Sequence, residues 1–242
     1  MRLLVDDEVL KLVSCAIKPE IDVKESKRRC KMKLYLNVPF AEKEEAKALG
    51  ARWNPTIKLW FIEVKDSINP LLKKWLIRES FYNLLAEQYT IVSAKKVCWK
   101  CENEMIVSTF LLQNYYELSR YEDNILGYPF LNWQEVHNVS FVSNITALDL
   151  ECLAGIVREN PEYRKTYSKT LQGSYFANNC PYCRVLQGDF NLYNEPDGVF
   201  YDYRDSAKFT IMKTLDSAFK AEGNTALTAG SPEGIMIKVI GH

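Results

Sequence analysis

The sequence has almost no histidine. Two occur in 242 residues, His137 and His242, and neither lies in a motif that would make it a general base. There is also no GxSxG elbow, no HExxH helix, no P-loop and no glycine-rich dinucleotide turn. The common frameworks for acyl transfer, metal-assisted proteolysis, nucleotide hydrolysis and hydride transfer are therefore missing. Isolated acids such as Asp149, Asp189 and Asp197 read as cap or turn residues, and the chain is expected not to be an enzyme. Long apolar runs are absent as well. Stretches such as YNLLA and IMIKVI fall far short of the ~20 residues that cross a bilayer, so no membrane partner is expected. Asp6, Asp7 and Glu8 interrupt the region where a secretory signal needs an apolar core, which makes the cytoplasm the expected location. Neither a low-complexity tract nor a solenoid-length repeat is present.

An excess of either charge is missing too, with 31 Lys+Arg against 31 Asp+Glu. The balance is a cancellation. Residues 1–78 carry 17 basic and 11 acidic side chains, and the remainder carries 14 and 20. The asymmetry implies either different partners for the two halves or an attraction between them across an internal interface.

Cysteine is what the chain does have. Seven is an odd number without the even spacing of a disulfide framework. Cys180-Pro181-Tyr182-Cys183 supports two incompatible chemistries, a redox dithiol or half of a metal site. CPYC is the tetrapeptide of glutaredoxin active sites, where the first cysteine needs a helix N-terminus to lower its pKa. Gly188 and Asp189 would interrupt such a helix, and no thioredoxin-like βαβ start or downstream Thr-Val-Pro segment is present. Cys98-Trp99-Lys100-Cys101 is a second CxxC, flanked like the first by β-rich runs. Two such knuckles supply the four thiolates of a closed structural zinc site. The 78 residues between them exceed normal ribbon spacing, but an insertion costs little closure entropy once metal joins the ends. The pattern favours Zn2+ held by Cys98, Cys101, Cys180 and Cys183, with Trp99 as a packing residue. Cys152 reads as a core residue, and Cys15 and Cys30 are left over.

The expected fold class is α+β: a small strand-helix-hairpin module followed by a zinc-ribbon-like domain with a helical insertion. Residues 1–30 form an N-terminal segment and basic linker, in which VLKLVSCAI is ambiguous between helix and strand. Residues 31–78 form the module, with KLYLNV as strand, AEKEEAKALG as a helix stopped by Gly50, and ARW-NPT-KLWFIE as a hairpin. LLKKWLIRESFYNLLAEQY has helical spacing and is expected to bridge to residues 79–242, the split four-cysteine domain with its insertion at 113–173. Within the insertion, TALDLECLAGIVREN reads as a helix capped by Thr146 and ended at Asn160-Pro161. Ser206–Glu222 shows Phe209, Met212, Leu215 and Phe219 on one helical face, with Gly223 as the stop.

The run from Tyr35 to Ile62 fits the pattern YLNVPxxEKxxAKxxGAxWxxxxKxWxI and keeps Glu42, Lys43, Ala46, Lys47, Gly50, Ala51, Trp53, Lys58 and Trp60. In these ~30 residues the chain closely resembles a short bacterial domain of unknown function that recurs beside conjugative-plasmid primases and antirestriction-type proteins. The segments around Cys98 and SYFANNCPYCRVLQGDF also resemble uncharacterised bacterial proteins with the same module and a split zinc ribbon. The first resemblance implies a setting near nucleic acid. Read from its residues, the module offers Lys43, Lys47, Arg52 and Lys58 around Trp53 and Trp60, cations and flat rings that suit phosphates and unstacked bases. A unit this small also needs large side chains for its own core, and Glu42, Glu44 and Glu45 dilute its field. Two functions follow as expectations: a zinc-stabilised protein whose basic module contacts nucleic acid or its machinery, or a protein-binding regulator of the immunity or anti-defence type that acts through the acidic half.

Overall fold

The computed structural model describes residues 32–64, 68–123, 128–202, 204 and 206–227. The segment VLKLVSCAI, Cys15, Cys30 and the expected 1–30 unit lie outside the described residues.

At the start of the described chain, alternate residues Leu34 and Leu36 face one side of a strand and Tyr35 the other, and all three are buried. Strand β1 (Met32–Leu36) pairs antiparallel with β3 (Leu59–Val64), and β3 pairs with β2 (Arg52–Asn54). Between β1 and β2 lies the short helix α1 (Lys43–Ala48). Its Ala46 is fully buried, and Gly50 has φ +88, the left-handed turn that returns the chain to β2. The Glu42 carboxylate accepts from the Trp75 indole at 2.8 Å, which ties the start of the helix to a buried ring near the end of the module.

The rest of the chain corrects the expected fold class. It is mostly β, and its principal feature is an eight-stranded antiparallel sheet. The strands are β4 (Leu84–Ala86), β5 (Tyr89–Val97), β6 (Glu104–Asp123), β7 (Tyr128–Leu148), β8 (Tyr163–Ser168), β9 (Gly173–Asn178), β10 (Phe209–Leu215) and β11 (Phe219–Leu227). β6 pairs with β7 on one edge and with β5 and β4 in succession on the other; β4 pairs with β11, and β11 with β7. The pairings β6–β4–β11–β7–β6 thus close a circuit, which leaves these strands no free edge where they pair. Phe110, Leu112, Tyr115, Val142 and Phe219 form its apolar core. Helix α2 (Leu150–Glu159) packs Cys152 and Ile156 on that core. A Cβ at Gly155 would stand 2.8 Å from the Tyr89 hydroxyl, so glycine permits the close approach.

Three helical expectations need correction. The segment after Asn69-Pro70 is a 3-10 helix only over Pro70–Trp75, and then becomes β4. Ser206–Glu222 is a 3-10 turn followed by β10 and β11, which pair with β5 and with β4 and β7 rather than with each other, and Gly223 is a bulged strand residue whose N–H donates to the Asn83 side chain and whose carbonyl accepts from it. Residues 113–173 are no helical insertion. They carry most of the β6–β7 hairpin as well as α2 and β8. At Leu84 and Leu85, and over Phe209–Phe219, apolar residues at helical spacing are claimed by sheet pairing, whose long-range partners override local preference. Helix α2 is present, but its cap is Asp149, whose carboxylate accepts from the Glu151 N–H at 3.0 Å; Thr146 belongs to β7.

The module sits on the β6–β7 hairpin. Tyr35 and Ile77 pack with Tyr116 and Trp133, and Phe130 joins Leu34, Leu36 and Trp75. Asn132, buried, closes the outer edge of β1: its Oδ1 accepts from the Tyr35 N–H and its amide donates to the Lys33 carbonyl. Lys33 also pairs with Glu135 at 2.9 Å, an attraction between the basic and acidic halves. No helix among the described residues is long and apolar enough to cross a membrane.

Candidate metal centre

The turn from β5 to β6 carries Cys98 and Cys101, and the turn after β9 carries Cys180 and Cys183. Both turns are built alike. The Cys98 N–H donates to the Asn103 carbonyl at 2.9 Å and the Glu102 N–H to the Cys98 carbonyl at 3.0 Å. In the second turn, Cys180 N–H donates to Val185 and Arg184 N–H to Cys180, at the same two distances. The residue after each second cysteine is left-handed, Glu102 at φ 59 and Arg184 at φ 62. Two knuckles far apart in sequence therefore share one backbone conformation, with their sulfurs aimed at a common point.

The four Sγ atoms all lie within 4.8 Å of one another, a set that can hold a metal ion. Cys98 and Cys183 stand 3.7 Å apart and Cys101 and Cys180 3.6 Å. A tetrahedral ion with ~2.3 Å bonds to sulfur requires S···S edges of about 3.8 Å. All four thiols are free. Cys98 and Cys180 are fully buried and belong to a core with Val92, Met105, Phe141, Tyr193 and Phe200, while Cys101 and Cys183 lie nearer the surface.

N–H groups converge on the sulfurs. Burial pushes the Cys98 thiol up, but the backbone N–H groups of Cys101 and Lys100 outweigh it and the net direction is down. The Asn103 backbone and side-chain N–H groups lower Cys101 to about 6. The Val185 N–H favours the Cys183 thiolate, yet burial and the neighbouring thiols push it up to about 11. Without a cation so close a quartet shares protons, because four negative charges cannot sit together. Trp99 is 60% exposed and not a core residue; its indole donates to the Leu186 carbonyl at 2.9 Å and links the first knuckle to the second. Beyond the knuckles the expected ribbon stops short, since the second turn is closed only by an Asn179–Leu186 bridge.

The module residues singled out from sequence are divided by the fold. Trp53 and Trp60 face each other across β2 and β3 with ring centroids 5.6 Å apart, and Trp53 is 48% exposed. Lys47 lies 6.0 Å from the Trp60 ring and Lys43 3.8 Å from the exposed Phe40 ring. These share the helix side of the sheet. Arg52 projects from the other face, over Phe61 and in an ion pair with Glu63. Lys58 occupies the β2–β3 turn at φ 55, and Lys47 is paired with Glu44 at 2.9 Å.

Sequence reasoning missed Asp189. It is 5% exposed and its carboxylate accepts from the Asn144 N–H at 2.7 Å, across the fold from its own loop. The chain after the second knuckle leads it inward, and no local pattern marks that path. Gln187 was missed too, although it lies four residues after Cys183 and touches Cys98.

Comparison with known proteins bears on a small part of the chain. Residues 33–76 match a family described as a domain of unknown function, DUF5710. A 39-residue stretch is 57% identical to DNA primase TraC of Escherichia coli; it covers 16% of this chain and 4% of that protein. No solved structure matches the chain.

Proposed function

We propose that Cys98, Cys101, Cys180 and Cys183 hold one structural Zn2+, and that the protein is a non-catalytic, cytoplasmic scaffold whose N-terminal module contacts nucleic acid. The observation that carries the metal reading is the convergence of four free sulfurs at near-tetrahedral spacing from two matching knuckles. Zinc is the ion that four thiolates suit best, and a closed thiolate set leaves no coordination position for substrate. The nucleic-acid reading is supported by the stretch shared with a DNA primase and by the surface of Trp53, Lys43, Lys47 and Phe40. Exposed rings stack on bases while the lysines meet phosphates.

Metal analysis of the purified protein should give one zinc per chain, and none would end the metal reading. Single-stranded DNA titrations should weaken with salt at a log–log slope of about −2, from ~0.7 per phosphate met by Lys43, Lys47 and Lys58. Trp53→Ala should lower affinity by about 1–3 kcal/mol. No binding at low salt would refute the module's role and favour a protein partner for the acidic half.

A further inference from the structure

We infer that Gln187 is a positioning residue for the metal centre, orienting the buried Cys98 sulfur for ligation; this rests on the four-cysteine reading above. Gln187 is 1% exposed. Its amide nitrogen donates to Cys98 Sγ at 3.4 Å and to the Val185 carbonyl at 3.3 Å. Its amide oxygen is buried with no hydrogen-bond partner, the one such side-chain atom among the described residues.

The orphaned oxygen makes the case. Rotating the amide by half a turn would set that oxygen against the Val185 carbonyl, which has no proton to give, so the orientation is fixed by its neighbour. The bond to Val185 does not explain the residue, because the Val185 carbonyl already accepts from the Cys180 N–H at 2.9 Å. A leucine would fill the space and strand no polar atom. What only the amide supplies is an N–H to Cys98. A neutral thiol is a weak acceptor that would not offset a buried, unpaired oxygen, whereas a thiolate accepts a charge-assisted bond of roughly twice the strength. The arrangement is therefore favourable when Cys98 ligates a metal. A thiolate with no exposed surface requires a cation beside it. Asn103 makes the corresponding bond to Cys101 at 3.4 Å from an exposed position. There water can replace the amide.

Cobalt(II) uptake by the full chain tests the inference, with binding read from the sulfur-to-cobalt charge-transfer band and affinity from competition with a chelator. Gln187→Leu is expected to weaken cobalt and zinc binding by about 10- to 100-fold and to shift the band, as loss of a partner to a ligand does. Asn103→Ala should change affinity by less than about threefold. The metal-stripped Leu variant should melt at or above the wild type, because it no longer buries an orphaned oxygen. Gln187→Met, closer in length, is read the same way and decides the matter should the leucine variant not fold. Wild type that takes up no cobalt overturns the four-cysteine reading itself. Wild type that binds while Gln187→Leu matches it in affinity and spectrum overturns only the role of Gln187. So does a metal-stripped variant that loses stability in step with affinity, since that is the signature of packing alone.

Discussion

Asp189 gives the fold a pH dependence that can be worked out in advance. Burial drives its carboxyl from 3.8 to about 7, against the opposing pull of the Asn144 N–H. Tyr163, Tyr175 and Tyr193 surround it, all buried, and none supplies positive charge. Asp189 keeps its ordinary acidity when unfolded, so between about pH 4 and 7 the folded protein binds a proton that the unfolded chain has lost. Stability must then fall as pH rises through that window and level off above about 7. The rise from 3.8 to about 7 corresponds to roughly 4 kcal/mol, a large share of a domain's total stability. Asp189→Asn keeps a carbonyl for the Asn144 N–H and removes the ionisation. Urea unfolding of both zinc-loaded proteins at steps from pH 4.5 to 8 would reveal it. The cysteine thiols contribute equally to both curves, so the difference isolates Asp189. The asparagine variant should gain on the wild type with rising pH, by several kcal/mol at pH 8. Two parallel curves would refute the reasoning.

Further outcomes follow from single contacts. Glu102→Gly relieves a left-handed residue at an exposed position and should raise the melting temperature of the metal-loaded protein by an amount equal to about 0.5–1 kcal/mol, after the entropy of the added glycine; a lower temperature contradicts the knuckle geometry. Cys180→Ser should abolish zinc uptake and speed hydrogen exchange in residues 97–103 and 179–187, while 32–64 keep their protection; exchange that rises equally everywhere would show that metal loss unfolds the whole sheet. Asn132→Ala strands the Tyr35 N–H and the Lys33 carbonyl and should cost about 2 kcal/mol, seen as faster proteolysis of the module; an unchanged digestion pattern would mean that the apolar contacts suffice.

Element order over Met32–Val64 could be read from the chain because the signals there are local: a β-rich run, strong helix formers, and a glycine at the left-handed position. The metal centre could be read because CxxC confines two sulfurs to one turn whatever lies between the turns. The fold class could not. Phe209, Met212, Leu215 and Phe219 fit a helical face and equally fit two strands, and nothing nearby reports that β5 and β4 supply the partners. Asn83 falls within the expected bridging helix and Asn132 within the expected insertion, yet their side chains act as substitute peptide groups for strands 140 and about 100 residues away. Asp189 looked like a turn acid for the same reason: its partner, Asn144, is 45 residues back along the chain.

The site and the module lie at opposite ends of one pair of strands, and this sets how they can influence each other. β6 leaves the first knuckle at Glu104, and its near part joins the metal-side core through Met105, Val107 and Leu111. Its far part meets the module through Tyr116, Leu118 and Tyr121. At ~3.3 Å per residue the stretch from Met105 to Tyr116 spans about 35 Å of strand length. A bulge between Gln113 and Tyr115, with Asn114 at φ 55, interrupts the ladder in between. Such a path transmits little, because the middle of the sheet has a core of its own that a change at the sulfurs need not disturb. Removing the metal should therefore leave nucleic-acid affinity within about twofold of the loaded protein, a comparison that one titration with and without chelator provides. A large loss on chelation would move the binding surface away from Trp53 and Trp60 and onto the knuckles, where Trp99 and Tyr182 are the exposed rings.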